Sequence, residues 1–193
     1  MKYTKVGEWV LDPFLGGGTT GIEAWRLKRN FIGVDINPKV IDDNKQRLSN
    51  VYSGSHINIR LGDARNLCFI KNESVSLICL HPPYHDIIHY SKDIEGDLSL
   101  MVLKDFYASI QSIAKEAYRI VKKNKYVAFM IADVRKNGYI EPLGARCLHV
   151  FINEGFKLKE TVIKEQHNCK STSKWQNRSF LLIKHEYLFI FKK

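Results

Sequence analysis

The sequence predicts one α/β domain spanning residues 1–193, built on a seven-stranded, mostly parallel sheet with helices on both faces and an antiparallel last strand. Three observations predict it. Short apolar runs of strand length alternate with stretches whose apolar residues recur at helical spacing. A glycine-rich turn joins the first of these runs to the first helix. Towards the C-terminus the alternation stops: two strand-like runs follow one another without a helix, so they should pair antiparallel, the final one entering beside the fifth strand.

The elements follow in order. "EWVLDPF" is a short buried strand that breaks into "LGGGTT", and "TTGIEAWRLKR" continues as a helix. "NFIGVDIN" is the second strand. Asn37 and Pro38 then supply an N-cap and a proline at the first helical position, opening "PKVIDDNKQRLSN". "INIRLGDA" alternates as a third strand and "VSLICL" is a fourth. "LKDFYASIQSIAKEAYRIVKKN" is a long amphipathic helix whose closing cations suit the negative end of its dipole. "KYVAFMIAD" is the fifth strand, and a helix around "PLGARCLHVFINEG" stops on Gly155. "FKLKETVIKE" and "HEYLFIFKK" are the last two strands.

Composition narrows the partners. Thirty Lys and Arg against twenty Asp and Glu give a formal charge of +10, which favours a polyanion through release of counterions from its phosphates. No apolar run is long enough to cross a bilayer, and "MKYTKVGEWV" lacks the apolar core of a signal peptide, so a soluble, cytoplasmic protein with no membrane contact is expected. Cys68, Cys79, Cys147 and Cys169 form no Cys-x-x-Cys pair, which suggests neither a zinc knuckle nor a disulfide framework.

In an open parallel sheet, ligands sit beyond the carboxyl ends of the strands where strand order reverses. The glycine loop, Asp35, Asp63 and His81 to Tyr84 all fall at such ends, although they are scattered along the chain. Gly16, Gly18 and Gly21 satisfy the G-x-G-x-x-G pattern, and Asp35 ends the next strand, where an acid holds ribose hydroxyls. On these residues alone a nicotinamide dinucleotide and an adenosyl cofactor both remain open.

The wording around the glycines separates the two. "DPFLGGGTT" resembles the signature of S-adenosylmethionine-dependent methyltransferases that act on amino groups in nucleic acid, Asp-Pro-Phe-x-Gly-x-Gly-Thr-Thr, with every fixed position matched. "HPPY" at the end of the fourth strand resembles the second signature of the N(4)-cytosine and N(6)-adenine DNA methylases, a polar residue followed by Pro-Pro-Tyr or Pro-Pro-Phe. The closing "KHEYLFIFKK" also looks like their terminal strand. The resemblance implies a Rossmann-like methyltransferase fold with S-adenosylmethionine as cofactor. It assigns Asp12, Pro13, Phe14, Gly16, Gly18, Thr19 and Thr20 to the cofactor loop, Asp35 and Ile36 to the ribose, and Asp63 and Ala64 to the adenine.

The same resemblance makes His81, Pro82, Pro83 and Tyr84 the catalytic turn. An exocyclic amino group is a poor nucleophile because its lone pair is delocalised into the ring. Acceptors aimed at its two hydrogens draw the nitrogen towards tetrahedral geometry as it attacks. Rigid prolines present the Pro82 carbonyl as one acceptor, and the side chain before them supplies the other. Tyr84 is expected to stack on a base flipped from its duplex. His81 stands where the family has Asp, Asn or Ser; a neutral imidazole accepts one hydrogen bond and a protonated one accepts none. Histidine therefore leaves adenine and cytosine both open. No metal is expected, since the prolines break the helix that His81, His85 and His89 would need to converge on an ion.

For nucleic acid, "KEQHNCKSTSKWQNR" brings Lys164, Lys170, Lys174 and Arg178 together with Trp175, a mixture suited to neutralising phosphates and packing on bases. The family's relatives carry a helix before the first strand and a larger region that reads the target sequence. Eleven residues precede Asp12 here. The expectation is a fragment, half of a split enzyme that needs a partner subunit or upstream segment, or an enzyme whose short loops do the reading. DNA is the expected substrate. RNA, a non-catalytic nucleic-acid-binding subunit and, last, a nicotinamide oxidoreductase are the alternatives.

Overall fold

The computed structural model describes residues 2–48, 55–84, 91, 93–166 and 181–193. In chain order the elements are β1 (Trp9–Asp12), α1 (Thr19–Arg26), β2 (Asn30–Asp35), α2 (Pro38–Leu48), β3 (Ile57–Leu61) and β4 (Val75–Leu80). A short 3-10 turn (Leu98–Leu100) leads to α3 (Leu103–Ile120), β5 (Val121–Ile131), β6 (Val134–Lys136), β7 (Tyr139–Glu141), α4 (Leu143–Asn153), β8 (Lys157–Glu165) and β9 (His185–Lys192).

Seven strands form one sheet in the order β3-β2-β1-β4-β5-β9-β8. The first five run parallel, and β9 lies antiparallel between β5 and β8, as the missing helix predicts. Strand order reverses between β1 and β4, which places the ends of these two strands at the switch point.

Alternation along β1 divides the core: Val10 packs with Leu15, Ala24, Phe31 and Ile41 in one cluster, while Leu11 joins the larger cluster that includes Ile78, Phe106, Ile110 and Phe151. Helices α1 and α2 feed the first cluster, and α3 and α4 the second. Asn37 caps α2, its side-chain oxygen accepting the Lys39 N–H at 3.0 Å, with Pro38 the first helical residue.

Two expectations change. The long helix ends at Ile120, not at Asn124, and Val121 to Lys125 belong to β5. Fully buried Val121 pairs with Val75, and a register shift with Asn124 at φ +61° returns the strand to its main register at Tyr126. Burial in the sheet thus overrides the helical pattern. The carbonyls at the helix end are met elsewhere: those of Arg119 and Ile120 accept the Glu73 and Ser74 N–H at 3.0 and 2.9 Å, and Lys193 Nζ donates to Tyr118 O at 2.7 Å and to Val121 O, the first of β5, at 3.2 Å. The second change is the β6–β7 hairpin, which the sequence reading passes over. Asn137 and Gly138, at φ +52° and +86°, form its turn, and Asn-Gly is the strongest short-range hairpin signal. Among the described residues no helix is long and apolar enough to cross a membrane.

Candidate active site

The cleft at the switch point has a volume of about 390 Å³, within the usual range for small-ligand sites. Asp12, Pro13 and Phe14 reach it from the end of β1, Gly16, Thr19 and Thr20 from the glycine loop and the first turn of α1. Asp35 and Ile36 line it from the end of β2, and Asp63 and Ala64 from the turn after β3. His81, Pro82, Pro83 and Tyr84 close it from the end of β4. Gly18 alone of the expected cofactor residues does not line it. It starts α1 at φ +75°, and a Cβ there would come within 1.9 Å of Asn44 Oδ1.

Asn44 braces the loop from α2. Its Nδ2 donates to Gly16 O and to Val40 O, both at 2.8 Å. Asp35 is held from two sides, Oδ2 accepting the Gly16 N–H at 3.0 Å and Oδ1 the Asn37 N–H at 2.9 Å. Each oxygen keeps a further lone pair, which suits a pair of ribose hydroxyls. A Cβ on Gly17, which also lines the cleft, would meet no atom within 4 Å, so the loop offers bare backbone to a ligand. These features fit an adenosyl cofactor.

Asp12 is buried, and that burial pushes its carboxyl up to about 6 against the opposing bonds from the Thr20 hydroxyl and the Phe14 N–H. Asp63 reaches the cleft already paired. The Arg65 Nε lies 3.0 Å from both of its oxygens and the Arg65 N–H 2.8 Å from Oδ1, so an adenine amino group would share this carboxylate with a guanidinium. Asp97, also buried, lines the cleft from the other side and accepts the Ser91 hydroxyl at 2.6 Å and the Ser99 N–H at 2.9 Å. The sequence reading missed it, since its only signal is an acid before a short turn.

At the turn after β4, His81 Nε2 lies 2.8 Å from the Tyr84 hydroxyl, which donates to Glu186 Oε1 at 2.7 Å. Glu186 Oε2 accepts from Lys164 Nζ at 2.7 Å across the β8–β9 pair. Glu186 went unnoticed in the sequence, and Lys164, expected at phosphates, is paired with this carboxylate. Burial acts to raise the Glu186 carboxyl, but the bonds from Lys164 and Tyr84 outweigh it and hold the group below its usual range. Burial of part of the His81 ring lowers its pKa, opposed by Glu186 and assisted by Lys164. His85, Asp86 and His89 lie outside the described residues, as do Lys170, Lys174, Trp175 and Arg178. Among the described residues no group of three His, Cys, Asp or Glu could hold a metal ion.

The fold is similar to that of solved S-adenosylmethionine-dependent methyltransferases. A solved methyltransferase of that class from Methanosarcina mazei superposes with a TM-score of 0.68 at 14% identity, over 99% of this chain and 94% of that one. TrmN from Thermus thermophilus also reaches 0.68, at 18% identity, over 98% of this chain and 45% of its own. Within the class, residues 1–46 match the family model described as DNA methylase. A stretch of 48 residues is 49% identical to the Type II methyltransferase M2.DpnII of Streptococcus pneumoniae. A stretch of 49 residues is 48% identical to M2.LlaDCHI of Lactococcus lactis subsp. cremoris. Each match spans 25% of this chain and 18% of the relative.

Proposed function

We propose that the chain is the catalytic domain of a DNA methyltransferase that moves a methyl group from S-adenosylmethionine to the exocyclic amino group of adenine or cytosine in a flipped-out base. The observation that carries this reading is the opening of the glycine loop and the His81 to Tyr84 turn into one cleft at the β1/β4 switch point. The DNA methylase family match of residues 1–46 and the Type II methyltransferase relatives favour DNA.

When bound, S-adenosylmethionine supplies a methyl carbon on a positively charged sulfur, an electrophile for an amino nitrogen. Asp35 would hold the ribose hydroxyls, the backbone of Gly16 and Gly17 would let the ligand approach closely, and Asp63 and Ala64 would flank the adenine. On the substrate side, the Pro82 carbonyl and the His81 imidazole accept the two amino hydrogens, and Tyr84 packs on the base. The lowered pKa of His81 keeps the imidazole neutral at ordinary pH, as an acceptor requires. Activity should therefore persist below the ordinary histidine value of about 6.5 and fall only at more acid pH.

The test is incubation with isotopically labelled S-adenosylmethionine and separate DNA and RNA substrates, followed by nucleoside analysis. Label in N6-methyladenine or N4-methylcytosine of DNA is the expected result. Label confined to RNA would move the substrate. No transfer to either, with nucleic acid still bound, would make the chain a binding subunit.

A further inference from the structure

We propose that Glu186 is a positioning residue for methyl transfer: through the Tyr84 hydroxyl it fixes the tautomer of His81, leaving Nδ1 unprotonated to accept from the target amino group. The inference rests on the methyl-transfer reading and extends it to a residue on the other side of the sheet order, 102 positions from Tyr84.

The argument is one of donors and acceptors. Glu186 has only 7% of its side chain exposed, and Lys164 Nζ at 2.7 Å holds it ionised, so it can only accept. The Tyr84 hydroxyl has one proton, and at 2.7 Å from Oε1 it gives that proton to Glu186. Its oxygen can then only accept from His81 Nε2, 2.8 Å away, so Nε2 carries the imidazole proton. The remaining ring nitrogen, Nδ1, is left with its lone pair. His81 lines the cleft and has 51% of its side chain open. Forming the nitrogen–carbon bond would break the sulfur–carbon bond of the bound sulfonium, its electron pair staying on a neutral thioether, and the amino nitrogen would shed one proton, which Nδ1 takes and passes to water. Glu186 Oε1, 3.8 Å from Nε2, favours the imidazolium during that passage. Among the described residues the charged and titratable groups facing His81 are Tyr84 on its own turn, Glu186 on β9 and Lys164 on β8.

The antiparallel insertion of β9 is what allows this. Its first residues lie beside the carboxyl end of β5, with Tyr187 opposite Ile131, so a carboxylate at position 186 arrives at the active-site rim.

Glu186→Gln tests the relay without changing its shape. Lys164 can only donate, so it takes the amide oxygen and leaves the NH₂ facing Tyr84. Tyr84 then accepts from Gln and donates to His81 Nε2, which moves the ring proton to Nδ1. Two-bond proton–nitrogen NMR of the ¹⁵N-histidine-labelled full chain, with the signal assigned through His81→Asn, reads the tautomer directly. The expected result is protonated Nε2 in the native chain and protonated Nδ1 in Glu186→Gln. Methyl transfer should fall about 100-fold or more with cofactor affinity unchanged, as for loss of a proton-accepting group. Tyr84→Phe keeps the ring and the Glu186–Lys164 pair but cuts the relay, so it should mix the tautomers and slow transfer even if Glu186→Gln folds poorly. A native Nδ1–H form, or native tautomer and rate in Tyr84→Phe, would overturn the proposal. So would a switched tautomer in Glu186→Gln with an unchanged rate. A tautomer switch in a chain that methylates no nucleic acid would sink the methyl-transfer reading while leaving the relay in place.

Discussion

Asp12 carries an ionisable group into a place where ionisation is costly. Burial lifts its carboxyl to about 6, and the neighbouring Asp35 charge adds to that. The folded chain therefore binds this proton more tightly than the unfolded chain, where an aspartate titrates near 3.9. The sign follows: the contribution to stability is full below about 4 and is lost as pH rises through about 6, a difference of up to about 3 kcal/mol. Asp12→Asn should remove this dependence. Denaturant unfolding at pH 4.5 and 7.5 should show the variant gaining on the native chain by about 1–3 kcal/mol at the higher pH; parallel profiles would mean that Asp12 titrates normally. At this scale much of the site was legible, because Asp12, Asp35 and the His81 turn sit at strand ends that periodicity alone locates. Glu186 was not. Nothing near it in sequence marks it, and its partners Tyr84 and Lys164 reach it only across the assembled sheet.

Among the elements, α3 shows how a boundary can be decided from far away. Its last turn carries Arg119, and its Tyr118 carbonyl accepts from Lys193, whose ammonium also lies 4.6 Å from the Tyr118 ring and 3.1 Å from Glu73. The lysines of "VKKNK" had looked like the natural cap, but Val121 is buried in β5 and takes them into the strand. Lys193→Met should cost about 1–2 kcal/mol, since it leaves the Tyr118 and Val121 carbonyls without a charged donor. Hydrogen exchange should show faster opening of the last turn of α3, with the amides of β1 and β2 unchanged. The β6–β7 hairpin is the opposite case, a local feature whose Asn-Gly signal was present and overlooked. Its Tyr139 stands 80% exposed.

For the whole molecule, the formal charge of +10 bears on the proposed DNA substrate. Each phosphate neutralised contributes a slope of about −0.9 to the logarithm of the binding constant against the logarithm of salt concentration. Binding to duplex DNA of unrelated sequence should therefore weaken steeply between about 50 and 200 mM salt, by about tenfold or more for even a few phosphate contacts. Fluorescence anisotropy of labelled duplexes measures it directly, and affinity that is flat in salt would remove the polyanion argument. The chain's charge sets this attraction without deciding where on the surface it acts.

By itself the sequence determined the order of the helices and of the strands of the main sheet, the antiparallel entry of the final strand, and the clustering of the glycine loop, Asp35, Asp63 and the His81 turn on one rim. Each of these follows from local periodicity and turn chemistry, and the rule that ligands bind at strand ends does the rest. Tertiary structure alone decided that Asp63 meets the cleft paired to Arg65, that Asn44 braces the glycine loop, and that Gly18 serves a backbone turn. It also decided that Glu186 and Lys164 stand behind Tyr84 and His81. The physical reason is common to all of them. Hydrogen bonds and ion pairs between residues far apart in sequence have no periodic signature, and come into being only when the sheet brings the strand ends together.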